Sequence, residues 1–574
     1  MTAHHQTAIL EAMMQSGFYP HPAPSIQRQE THISTVFLTG RWVYKIKKPV
    51  DLGFLDFSTL EKRRQYCRQE VALNRRLSEG VYIGVVPITR HNGCYALNGP
   101  GETVEVAVKM HQLNESDVMA DHLRRGALTG RHIEMLVDRL VDFYAHTAAD
   151  CEMDPTQAPA WEMNLQEVDR FAGAWIDRRS FDFVRAATQS FVRTRGSLFR
   201  RRRESRKIKD GHGDLRTDHI YFSANGIQVI DCIEFSPHLR CLDVVSDLAF
   251  LSMDLEFLGF PDQARNLIRL YVSQADDLEA LPLLDFYRCY RAMVRCKVSC
   301  YCIEKGGLTD TTRKALVQTA GRYLALARSY TEAFSQPTLW MVGGLPASGK
   351  STVAKALARA HDICVIRSDA VRKAHFADGP ERSGTTAFEQ GIYKAGATEA
   401  TYNRMAAMAA ENLKKGCSVI LDATFSRQVH RDQALRVAQY HHAMPIFVEC
   451  HAADALLSER LKRRDTEPSL SDARLVHLKA FKKRFEPVDT IGGVGAHIRV
   501  DTARPVRECL HRILLSNALT SSRRRKTEAT PAMCDRRIPS VLRTGALSQP
   551  TQRRLICSTA SWRRPISLPH PTHR

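Results

Sequence analysis

Apolar and polar residues alternate along Ser34-Thr35-Val36-Phe37-Leu38 and again along Trp42-Val43-Tyr44-Lys45-Ile46-Lys47. Thr39-Gly40-Arg41 joins the two runs. Period-two alternation across a glycine turn predicts a β-hairpin. Lys45 and Lys47 then share one face, and Tyr44 and Ile46 the other. A helical pattern follows over 58–77, with Leu60, Tyr66, Val71 and Leu77 apolar and Glu70 among its polar positions. Residues 104–110 predict another strand. The stretch 115–205 is long, with helical periodicity at 132–144 and 164–171. Asn225-Gly226 then marks a turn, and the strand 227–231 ends in the carboxylate of Asp231.

Beyond Gln336-Pro337 the rhythm changes to alternating strands and helices. Strands are predicted at 338–342, 363–366, 418–421, 445–450 and 496–500. Helices are predicted at 353–360, 398–415, 453–463, 471–485 and 504–516. Such alternation builds a parallel α/β sheet. Residues 1–30 are weakly patterned, with a proline-rich turn at Tyr19-Pro20-His21-Pro22-Ala23-Pro24, and residues 303–336 read as helix plus linker. From Ser516 periodicity stops and Arg, Ser, Thr and Pro dominate, so 516–574 is expected to be a disordered basic tail. The expected organisation is an N-terminal segment 1–30, an α+β domain over 31–335, an α/β domain over 337–515, and the tail.

Composition narrows the class. At 574 residues, 44% hydrophobic and 25% charged, the chain has ample material for two or three globular cores. No apolar run reaches the length of a membrane span, and the first residues lack the order of a signal peptide. Fifteen cysteines without framework spacing predict reduced thiols and a cytoplasmic protein. Cys296, Cys300 and Cys302 fall on an apolar helix and are expected to be buried thiols. The net charge of +20 raises the question of nucleic acid. About half of that excess lies in 519–574, and another basic run starts at Arg200-Arg201-Arg202-Arg203. Solvated surface is the favoured reading of these runs, with phosphate contact the alternative.

The strongest chemical signal is Gly344-Leu345-Pro346-Ala347-Ser348-Gly349-Lys350-Ser351-Thr352, set between a predicted strand and a predicted helix. This is the phosphate-binding loop pattern. Its glycines let successive N–H groups turn inward onto phosphate oxygens, and the helix adds its positive end. Lys350 reaches the β- and γ-phosphates, and the Ser351 hydroxyl ligates magnesium. The expected ligands are ATP and Mg2+.

His212-Gly213-Asp214-Leu215 followed by Ile230-Asp231 resembles the core of aminoglycoside phosphotransferase-like kinases, relatives of protein kinases. The resemblance covers about 30–330. It implies Lys45 as the phosphate-anchoring lysine with Glu70 as its helix partner, although the face offers Lys47 as well. It also implies Asp214 as the catalytic residue that accepts the proton of the acceptor hydroxyl or at least orients it, Asp231 as a magnesium ligand, and Asp243 and Asp247 as structural carboxylates. Two departures stand out. His219 takes the place of the family's metal-binding asparagine, and 34–40 holds one glycine where a glycine-rich loop is usual.

Residues 337–515 resemble the small P-loop kinases of nucleotides, shikimate, gluconate and polynucleotide 5′-ends. That resemblance implies Asp422, at a strand end, as a direct or water-mediated magnesium ligand. Asp369 would draw the proton from the acceptor hydroxyl and Arg372 would clamp an acceptor anion, a helix N-cap being the rival role at Ser368-Asp369. Arg460 and Arg464 would belong to a lid over the ATP phosphates, against an ordinary exposed basic helix end. The whole resembles a bacterial fusion of the two domain types. A Mg-dependent phosphotransferase acting on a small hydroxyl-bearing substrate is the expectation. Polynucleotide 5′-hydroxyl kinase activity, and a regulatory ATP-binding protein with a degenerate first domain, are the alternatives. A membrane partner is not expected.

Overall fold

The computed structural model describes residues 3–31, 33–51, 55–147, 159–304, 306–375, 395–466, 475–488 and 496–528. The predicted hairpin is β2 (Ser34–Leu38) and β3 (Trp42–Lys47), preceded by β1 (Gln27–Glu30) and followed by β4 (Tyr82–His91), β5 (Cys94–Leu97) and β6 (Glu102–His111). These six strands form an antiparallel sheet in the order β1-β2-β3-β6-β4-β5.

One face of this sheet buries Tyr44 and Ile46 against Ile9, Met13, Phe18 and Tyr19. The amino-terminal residues are therefore not a separate segment. They form a helix, Ala3–Ala12, and the edge strand β1. Only a few apolar residues spread over one short helix and a turn make that contact, too few to leave a readable period. The opposite face packs Val43, Val106 and Val108 against Cys67 and Val71 of the helix Leu60–Asn74. Thr59 caps that helix by accepting from the Lys62 N–H at 3.2 Å. Lys45 and Lys47 point toward it, on the same side as Glu70.

Below the sheet lies a helical layer. Two small antiparallel pairs carry its chemistry: β7 (Ile208–Asp210) with β10 (Cys241–Asp243), and β8 (Ile220–Ser223) with β9 (Gly226–Val229). Gly226 turns the second pair with φ +94°. The helix Val244–Phe257 is buried on nearly every side beneath them. Residues 303–336 are mostly helix, since Asp310–Ser335 packs along Leu284–Glu304 rather than trailing off as a linker. Cys296 and Cys300 are buried, as expected of apolar-helix thiols. Cys241 is disulfide-bonded, a departure from the all-reduced expectation.

The remaining strands are β11 (Thr338–Gly343), β12 (Cys364–Arg367), β13 (Val419–Asp422), β14 (Met444–His451) and β15 (Ala496–Asp501). They form a fully parallel sheet in the order β12-β13-β11-β14-β15. Along central β11, Leu339 and Met341 bury on one side with Leu421 and Phe447. Trp340 and Val342 bury on the other with Val353 and Leu357. Both faces are covered by helices, as a parallel sheet requires. The final helix runs Val506–Glu528, past the point where the sequence periodicity stops at Ser516. The expected disorder from 516 is corrected to that extent. Arg553, Arg554, Trp562, Arg563 and Arg564 lie outside the described residues. Among the described residues no helix is long and apolar enough to cross a membrane.

Candidate active site

The phosphate-binding loop springs from the end of β11, the central strand, and the helix Lys350–His361 follows it. Gly344 (φ +140°), Ala347 (φ +64°) and Gly349 (φ +79°) are left-handed or more extended still. A Cβ on Gly344 would stand 2.3 Å from the Cys450 carbonyl oxygen, so no larger residue fits there without a shift. The loop is held from behind. The Thr502 hydroxyl donates to the Ser348 carbonyl at 2.8 Å. Arg460 Nη1 donates to the Ala347 carbonyl at 3.2 Å, and its Nη2 to the Thr502 carbonyl at 2.7 Å. Arg460 therefore braces the loop backbone rather than standing as a free lid arginine. The Arg464 side chain lies outside the described residues. Thr502 gave no sequence signal, because it reaches the loop from the end of β15.

Parallel pairing sets Asp422 beside Val342 at the root of the loop and beside Arg367 on its other flank. Arg367 Nε donates to Asp422 Oδ2 at 3.3 Å, while the buried Oδ1 has no hydrogen-bond partner. The Ser348 hydroxyl is likewise buried and unpartnered. Lys350 and Ser351 are half-buried at the helix start. Asp369 and Arg372 lie one turn apart on the helix Ser368–His375, with Nη1 3.7 Å from Asp369 Oδ1. Nearby, the Phe425 N–H donates to the Tyr402 hydroxyl at 3.0 Å, and the Tyr402 ring stacks on His430 at 3.8 Å. Neither residue was legible as part of this site.

A second constellation lies under the antiparallel sheet. Lys45 Nζ sits 2.8 Å from Glu70 Oε1 and 2.8 Å from Asp231 Oδ1. Lys47 Nζ sits 2.7 Å from Glu70 Oε2 and also pairs with Glu234. Glu70 thus takes both lysines. Lys45 is the one that lines a cavity of about 170 Å³ between the sheet and the helical layer, together with Asp231. Burial opposes every charge in this network, yet the opposite charges outweigh it for most. Lys45 is held well above its usual value by Asp231 and Glu70, and Asp231 is held below its own by Lys45. Glu234 goes the other way, because burial and neighbouring Glu70 exceed what Lys47 supplies.

Asp214 is buried with Arg216, whose Nε donates to Oδ1 at 3.0 Å. Burial pushes the Asp214 carboxyl up, but the Arg216 guanidinium holds it below the usual carboxylate value. The loop around it is fixed by Asp247, which accepts from the His212 N–H at 2.7 Å and the Gly213 N–H at 2.9 Å. His219 Nδ1 lies 2.9 Å from the Asp214 carbonyl oxygen, and Arg216 Nη2 lies 3.0 Å from His219 Nε2. The carbonyl only accepts and the guanidinium only donates, so Nδ1 carries the proton and Nε2 accepts. In the basic run, Arg202 is buried against Asp243 and Asp277 rather than solvated. Among the described residues no group of three or more His, Cys, Asp or Glu side chains is arranged to hold a metal ion.

The two constellations thus stand on different sheets, the lysine–carboxylate network under the antiparallel one and the phosphate-binding loop on the parallel one. Residues 339–488 match the family described as an AAA domain. The chain is 31% identical over 494 residues to the uncharacterized protein Rv2004c of Mycobacterium tuberculosis, across 84% of this chain and 94% of that one. The same figures hold for the uncharacterized protein Mb2027c of Mycobacterium bovis. This protein belongs to the family of Rv2004c. Among solved structures it is similar to a choline/ethanolamine kinase family protein from Mesorhizobium loti, at 11% identity and TM-score 0.36, over 56% of this chain and 99% of that one. It is also similar to a gluconokinase from Sinorhizobium meliloti, at 17% identity and TM-score 0.26, over 34% and 98%.

Proposed function

We propose that this protein is an ATP-dependent phosphotransferase whose transfer reaction takes place at the phosphate-binding loop, on the hydroxyl of a small acceptor. The observation that carries this reading is the unpartnered, buried Oδ1 of Asp422 at the root of that loop. A buried carboxylate oxygen without a partner is costly unless a ligand completes it. Its hard oxygen and the Ser351 hydroxyl suit magnesium, and those two residues would hold it. Bound there, the ion supplies neutralisation of the phosphate charge. The loop N–H groups and Lys350 bind and orient the phosphates. Asp369 takes the acceptor proton on its carboxylate, and Arg372 holds an anionic group of the acceptor. Arg460, through the Ala347 carbonyl, keeps the loop in its binding shape.

A small acceptor is favoured over a polynucleotide 5′-end because Arg201 and Arg202 of the basic run are occupied in internal contacts. A cytoplasmic location accords with ATP as substrate. The first domain is read as a nucleotide-holding module that does not itself transfer, since His219 presents two engaged ring nitrogens where the resembled kinases have a metal-binding asparagine. ATP turnover with magnesium and pooled hydroxyl metabolites tests the division of labour. Lys350→Ala should abolish turnover and Asp214→Ala should leave most of it. The reverse pattern would move the reaction to the first domain and sink this reading.

A further inference from the structure

Helices from separate parts of the chain converge beside the phosphate-binding loop. Ser368–His375, which carries Asp369 and Arg372, packs along Ala395–Lys414, which carries Tyr402. The charges of Asp369 and Arg372 both reach the Tyr402 hydroxyl. Gln428–Tyr440, which carries His430, packs along Ala395–Lys414 as well. The turn that leads from Asp422 into this last helix is tied to the loop. The Gly344 N–H donates to the Thr424 carbonyl at 3.1 Å. Phe425, left-handed at φ +49°, donates its N–H to the Tyr402 hydroxyl and accepts from Arg431 Nη1 at 2.8 Å.

His430 is the unexplained member of this group. It is 4% exposed, its ring lies on Tyr402 at 3.8 Å with 12° between the planes, and among the described residues neither ring nitrogen has a hydrogen-bond partner. Stacking accounts for the face of the ring and not for its polar edge. An all-carbon ring would stack equally well, whereas buried nitrogens without partners are costly until a ligand meets them. Asp422 Oδ1, at the start of the same turn, is unpartnered in the same way. The charge state of the ring limits what that ligand is. Burial first, and Arg427 second, hold His430 below its ordinary value, so the imidazole is neutral near pH 7. One nitrogen then donates and the other accepts, and a hydroxyl answers either. A carboxylate or phosphate only accepts and would favour the protonated ring that burial opposes, so an anionic group belongs at Arg372 instead.

We propose that the acceptor is a polyhydroxy compound bearing an anionic group, and that His430 hydrogen-bonds a second hydroxyl, one that is not phosphorylated. This deepens the reading of transfer at the phosphate-binding loop and rests on it. The reacting oxygen bonds the γ-phosphorus, the bond from that phosphorus to the β-phosphate oxygen breaks to leave ADP, and the proton goes to Asp369. An acceptor with a single hydroxyl leaves His430 unpaired and is rejected.

The test is ATP turnover by the full chain on short-chain aldonates and sugar monophosphates, beside monohydroxy acids of matched length. At least one polyhydroxy compound should be phosphorylated, and one of its monodeoxy analogues should fall about tenfold or more in kcat/KM. His430→Phe keeps the stack on Tyr402 and removes both nitrogens. It should raise the KM for the acceptor about tenfold, leave the KM for ATP within about twofold, and erase the difference between the compound and that analogue. His430→Gln supplies an amide that donates and accepts, and should recover part of the loss. Thermal melts check folding, and His430→Leu replaces His430→Phe if that variant does not fold. Turnover confined to monohydroxy acids, or of no polyhydroxy compound, overturns the proposal. So does a difference that persists in His430→Phe, or an equal rise in both KM values, which would mark a structural role. Phosphorylation of a monohydroxy acid alone that Lys350→Ala abolishes sinks the acceptor class and spares the transfer reading. Phosphorylation that survives Lys350→Ala sinks the transfer reading itself.

Discussion

Two buried histidines set the upper end of the pH range over which this fold loses stability on acidification. Burial pulls His212 and His361 down to about 4. His212 is fixed by accepting the Asp214 N–H at Nδ1 and bonding the Ile230 carbonyl at Nε2. Both imidazoles stay neutral in the folded chain while the unfolded chain takes up protons below about 6.5. The unfolded state then binds more protons, so stability falls as pH falls through that window. The depressed carboxylates Asp214, Asp231 and Glu70 add their loss only below about pH 4, their ordinary range. Glu234 and Glu105, both raised, act in the opposite sense and soften that lower limb. Urea midpoints measured from neutral pH downward should decline well before the carboxylates titrate. His212→Gln should flatten the early part of that decline, and a midpoint constant to about pH 5 would contradict it.

At the scale of elements, the helix Val244–Phe257 links the basic run to the first site. Asp243 is its N-cap, accepting from the Val245 N–H at 3.0 Å. The same carboxylate takes Arg202 Nε at 2.8 Å and Nη2 at 2.7 Å, and Asp277 takes the other edge of that guanidinium. One turn on, Asp247 fixes the His212-Gly213 backbone and hence Asp214. Asp243→Ala removes a cap and half of a buried ion-pair cluster. The expected cost is about 3–5 kcal/mol, measured by urea unfolding. Asp243→Asn keeps an oxygen for the cap and should cost less. Equal losses for the two variants would show that the charge on Asp243 does not matter.

At the scale of the molecule, the two domains meet at the far end of the helix that begins with Lys350. Arg195 Nη1 donates to the His361 and Asp362 carbonyls, both at 2.9 Å, and Arg201 Nη2 to the Arg359 carbonyl at 2.9 Å. Cations at a helix C-terminus satisfy its orphan carbonyls and its dipole together. The apolar cluster continues across this junction, joining Leu281 and Leu283 to Leu357 and Leu514. Changing Arg195 and Arg201 together to alanine should lower stability by about 1–3 kcal/mol. In calorimetry the single transition should broaden or split, and an unchanged transition would mean the contacts contribute nothing.

How much of this was legible follows from where each contact lies along the chain. The phosphate-binding loop is contiguous, so its glycines, Lys350 and Ser351 could be read directly, together with the strand and helix around them. The Lys45–Lys47 face was readable because a strand alternates with period two. Which lysine reaches the cavity was not, since that depends on Asp231 and Glu234 arriving from far along the chain. Thr502 behind the loop, Tyr402 and His430 at its side, and Arg216 as the partner of Asp214 all depend on packing between distant elements. Arg202 looked solvated, as its neighbours Arg200 and Arg203 are, because sequence shows charge but not the buried partners that meet it.

By itself, then, the sequence determined the hairpin that carries Lys45 and Lys47, the parallel sheet of the second half, and the phosphate-binding loop, because local periodicity and glycine geometry act over a few neighbouring residues. The tertiary structure decided which charges meet. It brought Arg216 onto Asp214, left one oxygen of Asp422 without a partner at the loop, and fastened the loop helix to the first domain, because burial makes an unpaired charge costly and only the folded chain settles which partners are within reach.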